Sequence, residues 1–136
     1  MTKKINFVLF IDDDMMSNVN SKRILEKTNV AFEIIHTESG IEALDLLKTK
    51  FIPAGKFPDL IFLDIYMPRF NGWQVLEYLK TLGGEQHNTK IIMLSSSDDE
   101  ADRERANRIP EVSGYRIKPL TEEYILELTH NMLTEH

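Results

Sequence analysis

Two groups of aspartates directly follow short apolar runs and could hold a divalent cation. Asp12–Asp14 follow Phe7–Ile11, and Asp64 follows Leu60–Leu63. Asp14 suits the N-cap of a following helix, which leaves two adjacent like charges without a local structural reason. Two unit charges about 4 Å apart repel by about 4 kcal/mol at an effective dielectric of about 20, so converging carboxylates take up a proton or a cation. Oxygen ligands alone favour Mg²⁺, Ca²⁺ or Mn²⁺.

A serine and a lysine follow two further apolar runs. Ser95 follows Ile91–Leu94, and Lys118 follows Val112–Ile117. The serine suits either a helix cap or a hydroxyl that donates to a phosphoryl oxygen. A lysine is usually a solvated surface charge, but beside buried carboxylates it would be a fixed cation for an acceptor and its phosphate. Pro119 sets a turn after the lysine, through either a trans or a cis bond.

Five strand-like runs alternate with helical patterns, and this order predicts an α/β fold. The runs are Phe7–Ile11, Phe32–His36, Leu60–Leu63, Ile91–Leu94 and Val112–Ile117. Three of them are apolar throughout, as in strands buried on both faces. Helical spacing marks four sets: Met16, Val19, Ile24 and Leu25; Ile41, Leu44 and Leu47 after a Ser39 N-cap; Val75, Leu76, Leu79 and Leu82; and Tyr124, Ile125, Leu128 and Met132. A doubly wound parallel sheet follows, with functional residues beyond its carboxyl edge.

Length and charge exclude several classes of protein. The 136 residues suit one domain, and 22 acidic against 16 basic residues give a charge of −6, which disfavours direct nucleic-acid binding. No cysteine is available for disulfides, thiolate zinc sites or cysteine nucleophiles. The first apolar run ends after five residues at three aspartates, too short for a signal peptide. No apolar stretch approaches the ~20 residues of a membrane helix, so we expect a cytoplasmic protein without membrane contact.

Four motifs stand in order at the ends of the predicted strands. They are IDDD at Ile11–Asp14, LDIYMPRFNGW at Leu63–Trp73, IMLSS at Ile92–Ser96 and SGYRIKPL at Ser113–Leu120. Together they resemble the CheY-like receiver domain of two-component response regulators over essentially the whole chain. The resemblance implies a flavodoxin-like (βα)5 fold, a single receiver domain over residues 1–136 without an output domain, and a phosphoryl-accepting switch rather than an enzyme with a separate substrate.

The resemblance also assigns roles to individual residues. Asp64 matches the phosphoacceptor, and Mg²⁺, with Mn²⁺ as a substitute, would be held by Asp12, Asp13, Asp64 and the backbone carbonyl of Tyr66. The phosphate would contact Ser95, Ser96 and Lys118, and the conformational switch would be Ser95 with Tyr115. The family more often has threonine at position 95, and serine lacks its methyl group, which predicts looser coupling. The implied partners are a histidine kinase or histidine phosphotransfer protein and a downstream protein target.

Three other classes of protein share part of this residue pattern. Haloacid-dehalogenase-type phosphatases carry a second acid two residues after the nucleophile, where this chain has Tyr66. Flavodoxin-like FMN binding needs a phosphate-cradling loop after the first strand, where three aspartates would repel the phosphate. A receiver that has lost phosphorylation usually lacks the acceptor, an acid or the lysine, and this chain keeps all three.

The output surface is less sharply defined by the sequence. The segment Asp98–Arg108 is mostly charged, with only Ala101, Ala106 and Ile109 to seat it on the sheet. Such a composition is typical of a solvated helical face. A helix with so few apolar anchors is also suited to a switching element, so both interpretations remain open.

Overall fold

The computed structural model describes residues 3–83 and 88–134, and these residues form one parallel sheet flanked by helices. The strands are β1 (Ile5–Ile11), β2 (Ala31–Thr37), β3 (Leu60–Asp64), β4 (Lys90–Ser95) and β5 (Gly114–Ile117). The helices are α1 (Met15–Thr28), α2 (Gly40–Leu46), which continues as a π-helical turn over Leu47–Phe51, α3 (Gly72–Lys80), α4 (Glu100–Arg108) and α5 (Glu122–Thr134). The strand order β2-β1-β3-β4-β5 confirms the predicted doubly wound fold.

The three fully apolar runs form the centre of the sheet. Strands β1, β3 and β4 are adjacent and almost entirely buried, because helices cover both of their faces. Successive side chains of each strand point to opposite faces of the sheet and so form two core layers. Leu9 and Leu63 pack with α2, α3 and Ala106 of α4, whereas Phe10 and Phe62 pack with α1 and α5. The carboxyl ends of β1, β3 and β4 therefore meet at one edge.

Side-chain caps fix where the helices begin. Asp14 accepts hydrogen bonds from the first turn of α1, and Ser39 caps α2, as predicted. Asn71 and Gln74 form a reciprocal capping box at the start of α3. Asp99, rather than Ser95, caps α4, which leaves the Ser95 hydroxyl for other contacts.

Some apolar positions do not lie where the sequence pattern predicts. Met16, Val19 and Ile41 are exposed, although their helical spacing predicts buried positions. Val112 is outside β5, since its N–H donates to the carbonyl of Ile109 in a turn. Its side chain nevertheless packs on the core.

Two sequence predictions concern segments rather than single residues. The Gly-Gly pair in Gly83–Thr89 predicts a loop from the sequence, but most of this segment falls on residues 84–87, which lie outside the described part of the chain. Among the described residues, no helix combines the length and apolar character needed to cross a bilayer.

Candidate functional site

Three carboxylates meet at the carboxyl edge of the sheet. Asp12 directly follows β1, and Asp64 ends the neighbouring strand β3. One carboxylate oxygen from each of Asp12, Asp13 and Asp64 lies within 4.8 Å of the others. Asp12 and Asp64 are only 1% and 3% exposed, whereas Asp13 faces solvent. The cluster is therefore buried at Asp12 and Asp64 and open to solvent at Asp13.

Lys118 is the cation that faces this cluster from β5. Its Nζ lies 2.9 Å from Oδ2 of Asp12 and 3.4 Å from Oδ2 of Asp64, and its side chain is 12% exposed. Lys118 follows β5, and its N–H donates to the carbonyl of Ser95, which ties the lysine to the end of β4. The Lys118–Pro119 peptide bond is cis. The sequence left this isomer open.

Burial and charge shift the acid–base properties of this group. Burial, followed by the negative charge of Asp12, raises the pKa of Asp64 to about 7, although Lys118 acts in the opposite direction. Burial lowers the pKa of Lys118, but its hydrogen bond to Asp12 and the nearby carboxylate charges outweigh burial and raise it. One positive charge is therefore held against at least two carboxylates, which leaves the site anionic and suited to a cation.

Two residues of α1 orient Asp12, and neither was predicted from the sequence. Ser17 Oγ donates to Oδ2 of Asp12 at 2.7 Å, and Asn18 Nδ2 donates to the Asp12 backbone carbonyl at 2.8 Å. The backbone N–H of Asp14 donates to the other Asp12 oxygen. Both α1 side chains come from its first turn, so their spacing of five and six residues from Asp12 was the available signal.

The turn after Asp64 requires a glycine eight residues later. The N–H of Gly72 donates to the carbonyl of Ile65 at 2.9 Å, which closes the loop onto the strand end. A Cβ at Gly72 would lie 2.4 Å from the Asp64 backbone oxygen. Any larger residue would push the loop away from Asp64.

Ser95 and Tyr115 are connected through a third residue. Ser95 is fully buried at the end of β4, next to β3, and its Oγ accepts from the N–H of Ser97 at 3.2 Å. The Tyr115 hydroxyl donates to the Ser97 carbonyl at 3.0 Å. Ser97 therefore links the two side chains, a role that the sequence pattern did not indicate. Ser96 lies between Ser95 and Ser97 in sequence and is exposed.

Tyr66 faces away from the core, on the loop that follows Asp64. Its side chain is half exposed, and its hydroxyl donates to Oδ2 of Asp102 on α4. That hydrogen bond, with burial and the nearby acidic charges, raises the pKa of Tyr66 to about 12. The guanidinium of Arg103 also lies over the Tyr115 ring, 4.8 Å from its centroid. These contacts thus help to hold α4 against the sheet, since Ala106 is the one buried residue of this helix.

Comparison with known proteins identifies relatives of the whole chain. The family model for the response regulator receiver domain matches residues 8–130. A crystal structure of a two-component response regulator from Cytophaga hutchinsonii aligns with a TM-score of 0.90 and 34% identity, covering 98% of this chain and 100% of that one. Protein PilG of Pseudomonas aeruginosa is 32% identical over 119 residues, which are 88% of this chain and 81% of PilG.

A further relative is a longer protein. The transcriptional regulatory protein CpxR of Escherichia coli is 34% identical over 99 residues, which are 73% of this chain but only 37% of CpxR. The chain therefore spans little more than a third of that relative. The family match, the five-stranded parallel sheet and the acidic cluster agree with one another: this chain belongs to the response regulator receiver domains, which act as phosphorylation switches in two-component signalling.

Proposed function

We propose that this chain works as a single receiver domain in which Asp64 accepts a phosphoryl group from a histidine kinase or a histidine phosphotransfer protein. The observation that carries the proposal is a buried Asp64 beside Lys118, next to two further aspartates on an open edge of the sheet. An oxygen of Asp64 attacks phosphorus, the bond from phosphorus to the donor imidazole breaks, and the imidazole leaves. Lys118 contributes a fixed positive charge to the incoming anion.

The carboxylate cluster fits a hard divalent cation. Asp12, Asp13, Asp64 and the backbone carbonyl of Tyr66 would hold Mg²⁺ or Mn²⁺, since the donors are all oxygens. When bound, the cation supplies neutralising charge to the phosphoryl oxygens. Ser17 and Asn18 hold Asp12 in place through hydrogen bonds, so that the cluster is prepared for a cation before one binds.

Ser95, Ser96 and Tyr115 would read out the phosphate. A phosphoryl group on Asp64 adds charge and three strong acceptor oxygens at the end of β3. We infer that the Ser95 hydroxyl turns toward it, with Ser96 and Lys118 completing the phosphate contacts. That rotation breaks the hydrogen bond from the Ser97 N–H, and Ser97 carries the change to the Tyr115 hydroxyl. The loop before α4, where a target protein would bind, then rearranges.

The charge of the chain favours a protein as the direct target. The chain has a formal charge of −6 and would repel the phosphate backbone of a nucleic acid. The proposed output is therefore protein contact in the cytoplasm rather than direct nucleic-acid binding. Turnover of a separate substrate is not part of the proposal, because Tyr66 stands where a phosphatase would place its second acid. Loss and gain of phosphate at Asp64 are sufficient for a switch.

Intact-mass spectrometry with acetyl phosphate and Mg²⁺ tests the acceptor. Wild type is expected to gain the mass of one phosphoryl group, and Asp64→Asn none. Asp45→Asn on the exposed face of α2 is the matched control and should behave as wild type. Phosphate on the Asp64→Asn protein would contradict the proposal.

Hydrogen exchange with beryllofluoride, a phosphoryl mimic, tests the readout separately. Protection of residues 96–108 should change in wild type and change less in Ser95→Ala. Equal protection of this segment in every state would place the output on another surface.

A further inference from the structure

A groove between α2 and α3 is not used by the proposed phosphorylation switch. Its volume is about 470 Å³. One wall is a single face of α2 and its π-helical turn, with residues at spacings of three, four and seven. The other wall comes from the loop before α3 and from α3 itself. The lining residues are Ile41, Leu44, Asp45 and Lys48 on the first wall, and Arg69, Phe70 and Tyr78 on the second.

The groove has an apolar interior that is open to solvent. Ile41 is 69% exposed and Tyr78 is 51% exposed, although both are large apolar side chains. The rings of Phe70 and Tyr78 pack edge to face, 5.6 Å apart between centroids. A Cβ at Gly40 would lie 2.9 Å from Phe70, so the glycine lets the start of α2 lie against this wall. A concave group of exposed apolar side chains is a mark of an interaction site, whereas single exposed residues are ordinary.

Positive charge lies at the rim of the groove. The Lys48 ammonium is 6.0 Å from the centre of the Tyr78 ring, so its stem extends across the apolar wall. Arg69 is exposed, and within residues 3–83 and 88–134 its side chain forms no ion pair or hydrogen bond. Its backbone is in the left-handed region, with φ of 69°, which is unusual for arginine. Asp45 is the one acidic residue among the lining side chains.

These features together define the kind of ligand that fits. We propose that the groove binds an acidic amphipathic helix of a partner protein, at a site separate from the phosphorylation switch. An aliphatic or aromatic anchor of that helix packs between Ile41 and Tyr78, as in other helix-in-groove complexes. A carboxylate next to the anchor faces Arg69 and Lys48, which gives the complex its orientation and charge preference.

Binding of a designed peptide pair tests this proposal directly. The probe is a short helical peptide with leucine and phenylalanine one turn apart and glutamates beside them, and its twin carries lysine in place of each glutamate. Both are titrated into ¹⁵N-labelled protein in EDTA without any phosphodonor, so the result does not depend on Asp64. The acidic peptide should shift the amide signals of Ile41, Lys48 and Tyr78, and the basic twin should bind about tenfold more weakly or not at all.

Variants then separate the groove from net charge. Arg69→Glu should weaken the acidic peptide about tenfold and strengthen the basic twin, whereas Arg23→Glu on α1 makes the same charge change elsewhere and should alter binding less than twofold. Ile41→Ser should weaken both peptides several-fold without unfolding the protein, because Ile41 is exposed. Equal affinity for the two peptides, or signal shifts confined to another face, would overturn the proposal. Self-association that Ile41→Ser abolishes would make a second copy the occupant and would also overturn it.

Discussion

Replacing Asp64 with asparagine should make the metal-free protein more stable at alkaline pH. Asp64 is 3% exposed and lies beside Asp12, and Lys118 is the one described cation in contact with both. Ionised Asp64 therefore carries a desolvation and repulsion cost that a neutral amide of the same shape avoids. This cost is part of the chemistry of the site, since the same negative charge attracts a cation.

The magnitude follows from the shifted pKa of Asp64. Its carboxyl has an ordinary pKa of 3.8, and in the fold the pKa is raised to about 7. Between these values the folded chain keeps a proton that the unfolded chain has lost, so stability falls as pH rises and levels off above about pH 7. The gap of about 3 pKa units corresponds to about 4 kcal/mol, of which roughly 2–3 kcal/mol develops between about pH 5 and pH 8.

Urea unfolding in EDTA, followed by circular dichroism from about pH 5 to pH 8, measures this difference. The stability of Asp64→Asn minus that of wild type should grow by roughly 2–3 kcal/mol across the range. Titrations shared by both proteins cancel in the subtraction. Asp13→Asn removes an exposed carboxylate of the same cluster and should give a small, nearly constant offset. A flat difference for Asp64→Asn would show that the buried Asp64 charge does not destabilise the fold.

Three further predictions concern single residues. Gly72→Ala should cost about 2–4 kcal/mol in urea unfolding, because its Cβ would meet the Asp64 carbonyl, and a cost below about 1 kcal/mol would show that the turn relaxes freely. His36 is desolvated, which lowers its pKa, so its own contribution to stability should fall as pH drops below the ordinary value of 6.5, and the stability of His36→Phe minus that of wild type should rise over that range; a flat difference would contradict this. Tyr115→Phe should cost about 1 kcal/mol and speed hydrogen exchange in residues 96–100, since it deletes the bond to Ser97, and unchanged exchange would argue against that link.

The convergence of the carboxylates could be predicted from the sequence, and the reason is topological. Asp12 and Asp64 each follow a fully apolar run, and parallel strands place their carboxyl ends at one edge. Lys118 follows the same rule at the end of β5. Strand order alone makes Asp12 and Asp64 neighbours, because β1 and β3 are adjacent. It places Lys118 at the same edge, but its contact with the two carboxylates also depends on a long side chain that reaches across the end of β4.

Contacts that depend on how helices lie against the sheet could not be predicted. Helical periodicity assigns Met16 to the apolar face of α1 but does not show that its side chain is left 73% exposed. Likewise, the Tyr66–Asp102 hydrogen bond and the Arg103–Tyr115 contact join residues far apart in sequence. Their formation depends on the position of α4, which has too few apolar residues for periodicity to fix its orientation.

Locating the phosphate on a single residue decides whether Asp64 is the phosphoacceptor. Borohydride reduces an aspartyl phosphate to homoserine, so protein treated with acetyl phosphate and Mg²⁺ can be reduced, digested and sequenced by fragmentation mass spectrometry. We expect homoserine at the position of Asp64 in wild type and unmodified aspartate at positions 12 and 13. Homoserine at either of those two positions, or phosphate that survives borohydride as a stable ester elsewhere, would contradict it.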